Sequence, residues 1–227
     1  MEANFSKNYR GIIYILSACC LFMAITDAIW QPGYAIKSVL KIIAFLFIPI
    51  CYSYMNKNIQ LKSLFAVQLK GIIHAVLIGV GVYAFILTCY FTIGTFFDFS
   101  QVTGALNKNV GVNKDNFVLV AIYISFVNSL LEEFFFRGFV FINLKKLANR
   151  KFAYLVSSFA FAAYHVAMMI GWFSIWLFLL LLAALIVAGV IFNWLNEKQE
   201  NIYTSWFVHM FANFSINTVG FILFGII

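Results

Sequence analysis

Seven apolar runs, at about residues 11–30, 38–55, 71–97, 117–144, 152–170, 172–195 and 203–226, occupy most of this 227-residue chain. A helix needs about 20 consecutive apolar residues to cross the hydrocarbon of a bilayer, and each run reaches or approaches that length. Strand-like alternation is absent, and the runs far exceed the roughly ten residues of a membrane barrel strand. Helices, which satisfy every backbone N–H and C=O internally, are therefore the spanning element. The sequence predicts an all-α, polytopic membrane helix bundle of about seven transmembrane helices. Its composition agrees: 64% hydrophobic residues, 10% charged residues and a mean hydropathy of +0.95 lie far from the values of soluble domains. The breaks between runs are short and polar, as at Asn56-Lys57-Asn58 and Asn107-Lys108-Asn109, which leaves no room for a soluble domain. Residues 1–227 are expected to form a single integral membrane domain.

A net charge of +7 raises the question of a nucleic-acid partner. The basic residues sit in loops flanking the runs rather than on one stripe or tail, so no nucleic acid is expected. They read instead as topology. With a cytoplasmic N-terminus, the inner segments hold Lys7, Arg10, Lys57, Lys62, Lys70, Arg137, Lys145, Lys146, Arg150, Lys151 and Lys198, and the outer ones hold Lys37, Lys41, Lys108 and Lys114. Eleven against four follows the positive-inside rule and suits an odd number of crossings. The expected place is the cell membrane, crossed several times.

Lys7 and Arg10 ahead of Leu16-Ser17-Ala18-Cys19 imitate a lipoprotein signal, but the apolar run continues to Trp30, as a retained helix would. Cys19, Cys20, Cys51 and Cys89 form no CxxC pair and read as packing residues. His74, early in the third run, reads as a packing or interfacial residue. Asp27 and Asp98 are expected near outer helix ends, where solvation is easy, and Phe134, Phe135 and Phe136 are expected to fill helix interfaces.

The remaining polar residues demand a reason, since an ionisable group in hydrocarbon costs a few kcal/mol or more. Glu132 and Glu133 lie about a dozen residues before the basic loop at Lys145, roughly 18 Å along a helix. His165 lies about 21 Å beyond Lys151, and His209 about 14 Å beyond Glu200. Three helices thus bring titratable groups to similar depth. Positions four apart share a helix face, which pairs Glu133 with Arg137, Asn128 with Glu132, Phe161 with His165, and His209 with Asn213. A structural ion pair accounts for Glu133 and Arg137 taken alone, and an interhelical hydrogen bond accounts for a lone histidine. The coincidence of two acids, two histidines and an asparagine, in a chain with three histidines and eight acids, favours chemistry.

That chemistry is the activation of water. A carboxylate in apolar surroundings is suited to general-base work near neutral pH, and imidazole and carboxamide N–H groups can donate to a developing oxyanion. Alternatively, Glu132, His165 and His209 could hold a zinc ion with an open position for water. Either route hydrolyses an amide without a covalent intermediate, because no Ser or Cys stands beside a base in a nucleophile motif.

Glu132-Glu133 with Arg137 reads EExxxR, Phe161 with His165 reads FxxxH, and His209 with Asn213 reads HxxxN, in that order along the chain. This set resembles the CPBP family, the CAAX-endopeptidase and bacteriocin-processing intramembrane proteases also called Abi. The resemblance covers about residues 117–226, expected to be the catalytic core, while the helices within 1–110 match only in being hydrophobic. It implies Glu132 as general base, Glu133 and Arg137 as its support, and His165, His209 and Asn213 as the groups that bind water and stabilise the oxyanion. Members of this family are described both as metalloproteases and as metal-free. No cofactor is favoured here, because HxxxN supplies one imidazole where HExxH supplies two; zinc is the alternative. The expected activity is an intramembrane endopeptidase acting on a membrane-associated peptide or protein in the lipid bilayer. The alternative is a non-catalytic bacteriocin-immunity or scaffold protein using the same cavity. A proton-coupled transporter fits less well, since no inverted repeat is present.

Overall fold

A computed structural model of the chain describes residues 2–59, 61–66, 69–199 and 201–227, and among them no strand occurs. Among the described residues seven helices are long and apolar enough to cross a membrane, so this is a multi-pass membrane protein. They are Tyr9–Trp30 (span 1), Tyr34–Met55 (span 2), Gly71–Phe96 (span 3), Phe117–Leu147 (span 4), Arg150–Met169 (span 5), Ile175–Lys198 (span 6) and Tyr203–Leu223 (span 7). A shorter helix, Ser100–Val110, lies between spans 3 and 4 and stops at Gly111, whose φ of 70° is the left-handed conformation that glycine adopts freely. Asn149 starts span 5 by accepting the Phe152 N–H at 2.9 Å.

Span 4 is the axle of the bundle, with half of its apolar window buried. Span 5 packs against it and against spans 1 and 6, and span 7 packs along span 3. Lateral phenylalanines fill the centre as the sequence suggests: Phe134, Phe135 and Phe136 are buried, and Phe135 stacks on Phe45 of span 2 at 4.3 Å between centroids. Large apolar side chains such as Leu77, Leu119 and Trp176 are exposed, as a lipid-facing surface requires. Small and polar residues close the helix seams. Gly189 lets span 6 approach the backbone of Ser158 on span 5, where an added Cβ would lie 2.9 Å from the Ser158 Cα. One turn on, Asn193 Nδ2 donates to Ser158 Oγ at 3.1 Å. The cysteines are free, and Cys19 Sγ donates to the Ala44 carbonyl at 3.2 Å. His74 is exposed near the start of span 3.

Two expectations are corrected. The second apolar run begins at Tyr34 rather than near residue 38, so Lys37 and Lys41 lie inside span 2 and are buried. Asp27 is buried as well, 2.5 Å from Lys37 Nζ, so it is neutralised by a partner instead of by water. Asp98, by contrast, is exposed as expected; its carboxylate accepts the Ser100 N–H at 2.8 Å, which holds it below the usual carboxylate range.

Helical turns widen to the i→i+5 pattern at Thr26–Trp30, Ile43–Phe47, Ile124–Asn128 and Glu133–Ile142. Such turns are rare and recur at functional sites. In this chain they flank the buried charges Asp27, Lys41, Glu132 and Glu133.

Candidate active site

Glu132 and Glu133 stand at the junction of ordinary helix and the long wide-turn segment Glu133–Ile142. Both side chains point into the bundle, with side-chain exposures of 2% and 0%. Their surroundings divide the labour between them.

Glu132 has two differently treated oxygens. Oε1 accepts from Lys41 Nζ at 2.5 Å and from Asn128 Nδ2 at 3.1 Å. The same ammonium donates to Asn128 Oδ1 at 2.5 Å and lies 4.8 Å from the ring centre of Tyr164. Oε2 faces two imidazoles, His209 Nε2 at 3.6 Å and His165 Nε2 at 3.9 Å. These separations are too long for direct hydrogen bonds and about right for a small third body held between the groups.

The histidines are oriented from behind. His165 Nδ1 donates to the Phe161 carbonyl, four residues back, at 2.7 Å. His209 Nδ1 donates to Glu133 Oε1 at 2.9 Å, and its ring stacks on Phe192 at 5.1 Å. A carbonyl or carboxylate can only accept, so each neutral ring presents an Nε2 lone pair towards Glu132, and each donates from Nε2 only as imidazolium. Glu133 Oε1 in turn is 3.3 Å from Arg137 Nη1. The guanidinium is fully buried between Phe161 and Phe192, 4.1 and 4.9 Å from their ring centres.

The structure therefore brings Glu132, Glu133, Arg137, His165 and His209 together from spans 4, 5 and 7. Asn213, one turn beyond His209, is buried, and its amide donates to the Ile124 carbonyl of span 4 at 3.2 Å. One of its two N–H groups is thus committed to the backbone of the wide turn before Glu132. Sequence reasoning missed Lys41 by placing it among the outer loop charges. Lys37 and Lys41 are four apart and so share a helix face, but that spacing does not point to Glu132, which lies 91 positions away on another span.

A zinc ion does not fit this set as it stands. Among the described residues no group of three His, Cys, Asp or Glu side chains is disposed to hold a metal. The charges weigh against one as well: Glu132 and Glu133 are already matched by Lys41 and Arg137. A divalent ion added between neutral histidines and a neutralised carboxylate would leave uncompensated positive charge in a low-dielectric interior.

Residues 114–215 match the family model described as Rce1-like, Type II CAAX prenyl endopeptidase Rce1-like. That segment contains Glu132, Glu133, Arg137, His165, His209 and Asn213, and excludes Lys41. No curated protein and no solved structure matches the chain. Motifs and match agree: residues 114–215, a little under half of the chain, are similar to the Rce1-like family of type II CAAX prenyl endopeptidases.

Proposed function

We propose that the protein is an intramembrane endopeptidase of the cell membrane that hydrolyses a peptide bond of a membrane-associated protein or peptide with a water activated by Glu132. The observation that carries this reading is the approach of His209 and His165 to one oxygen of a buried carboxylate, at 3.6 and 3.9 Å, from three separate spans. A water among these three atoms would give its proton to Glu132 as its oxygen adds to the scissile carbonyl carbon. His165, fixed by Phe161, holds that water. The carbonyl oxygen becomes the oxyanion and receives donors from His209, as imidazolium backed by Glu133, and from the second N–H of Asn213. The carbon–nitrogen bond then breaks, the proton on Glu132 passes to the leaving nitrogen, and a carboxylate and an amine are the products.

No metal enters this reading, because the two acids already have fixed partners. The family description makes a C-terminal tail beside a prenylated cysteine the first substrate to try. The test uses an internally quenched farnesyl-cysteine CAAX peptide with proteoliposomes of the full chain. Glu132→Ala, His165→Ala and His209→Ala should each lower turnover by about 10²–10⁴-fold, the usual contribution of a positioned acid–base group, and chelator should leave the wild-type rate unchanged. Wild-type turnover in all three variants would overturn the peptidase reading.

A further inference from the structure

We infer that Lys41 is the built-in cation of this site and a positioning residue for Glu132: its ammonium ties down Oε1, leaves Oε2 to face the histidines, and keeps divalent metal from the carboxylate. The inference deepens the peptidase reading and rests on it for the catalytic half of its test.

Three observations carry it. The first is exclusivity of placement. Lys41 and Asn128 converge on Oε1, while His165 and His209 converge on Oε2. A free carboxylate can exchange its oxygens by rotating about its last torsion, which is broad and roughly two-fold. With Oε1 anchored by an ammonium and an amide, that rotation is blocked, and the atom presented to the histidines is always the same. The second is environment. The Lys41 side chain is 4% exposed, with its ammonium over the rings of Tyr164 and Phe45 at 4.8 and 5.4 Å. A flexible, strongly hydrated group has been stripped of water and enclosed in a fixed cage. The third is the internal comparison that the helix itself supplies. Lys37, one turn earlier on the same face, makes an ion pair of equal length, 2.5 Å, with Asp27, an acid outside the three motifs. If Lys41 merely locked helices together, the two lysines would be equivalent.

They differ in what their loss exposes. Removing Lys37 frees Asp27 at the end of span 1. Removing Lys41 leaves Glu132 without its counter-charge while its other oxygen faces two imidazole lone pairs, a carboxylate and imidazole donor set of the kind that holds zinc at ligand distances of about 2.0–2.2 Å. The single ammonium therefore decides whether this cluster is a charge-balanced base or a metal trap.

The experiment compares purified full-length wild type, Lys41→Met, Lys41→Ala and Lys37→Met, first titrated calorimetrically with zinc alone. Lys41→Met should bind one zinc per chain at least about tenfold more tightly than wild type, since a like charge a few ångströms away is gone. Adding His209→Ala should abolish the gain, and Lys37→Met should behave as wild type. With the quenched farnesyl peptide, in chelator, Lys41→Met should lose kcat by at least about tenfold while KM stays within about twofold, the pattern of an interaction made at the reacting atoms. Methylammonium should restore kcat to Lys41→Ala. If Lys41→Met aggregates, Lys41→Gln replaces it. Equal zinc affinity in wild type and Lys41→Met, or equal kcat in Lys41→Met and Lys37→Met, overturns the inference. Should Glu132→Ala retain turnover, the peptidase reading fails by itself, and the zinc titration still decides the role of Lys41.

Discussion

Arg137 shows what one residue contributes in a medium without water. Its guanidinium is enclosed by Phe161 and Phe192 and paired with Glu133, which also receives Nδ1–H of His209. Arg137→Met is expected to destabilise the protein by about 3–5 kcal/mol, because Glu133 is left as an uncompensated buried charge. Adding Glu133→Gln should recover most of that loss, and thermal unfolding in detergent measures both. The pair was legible in the sequence, since EExxxR places its partners one helical turn apart. So was the meeting of Glu132 with His165 and His209, because each could be located by counting inward from a basic loop. Lys41 was not legible in the same way. A lysine seven residues into a span reads as a flanking charge, and its partner lies 91 positions away on another helix. Local periodicity carries no information about such a contact. Asn213 shows the converse: its helical spacing from His209 was read correctly, but not its bond to the Ile124 carbonyl, since a turn whose carbonyls are open to outside donors is a tertiary property.

At the scale of elements, the seams depend on small residues. Gly189 and Asn193 form one edge of span 6, and Ser158 of span 5 sits against both. Gly189→Leu should push the two helices apart and lower stability by about 1–3 kcal/mol, the typical cost of overpacking. Because span 5 carries His165, the same variant should also weaken turnover, read as a fall in kcat/KM with the quenched peptide. Val187→Leu, on the exposed side of the same helix, is the control and should be neutral. Six of the seven spans were located by apolar length to within a few residues. The start of span 2 was displaced by several residues because two lysines interrupt its apolar pattern, and what makes them tolerable, Asp27 and Glu132, lies on other spans.

For the molecule as a whole, the buried lysines sharpen the reading of orientation. Arg137, Lys37 and Lys41 are interior residues and do not act as loop charges, which leaves ten basic residues on the side proposed as cytoplasmic and two on the other. A single cysteine at position 108 should react with an impermeant maleimide in intact cells, and one at position 57 only after permeabilisation; both native lysines there are exposed. The reverse pattern would invert the proposed topology. The site also ties together parts of the chain with different pedigrees. Residues 114–215, the stretch that matches the family model, carry EExxxR, FxxxH and HxxxN, whereas the ammonium that balances Glu132 comes from span 2. The motif-bearing stretch is therefore not a portable module: grafted behind foreign leading helices, it would take its signature along and leave its counter-ion behind.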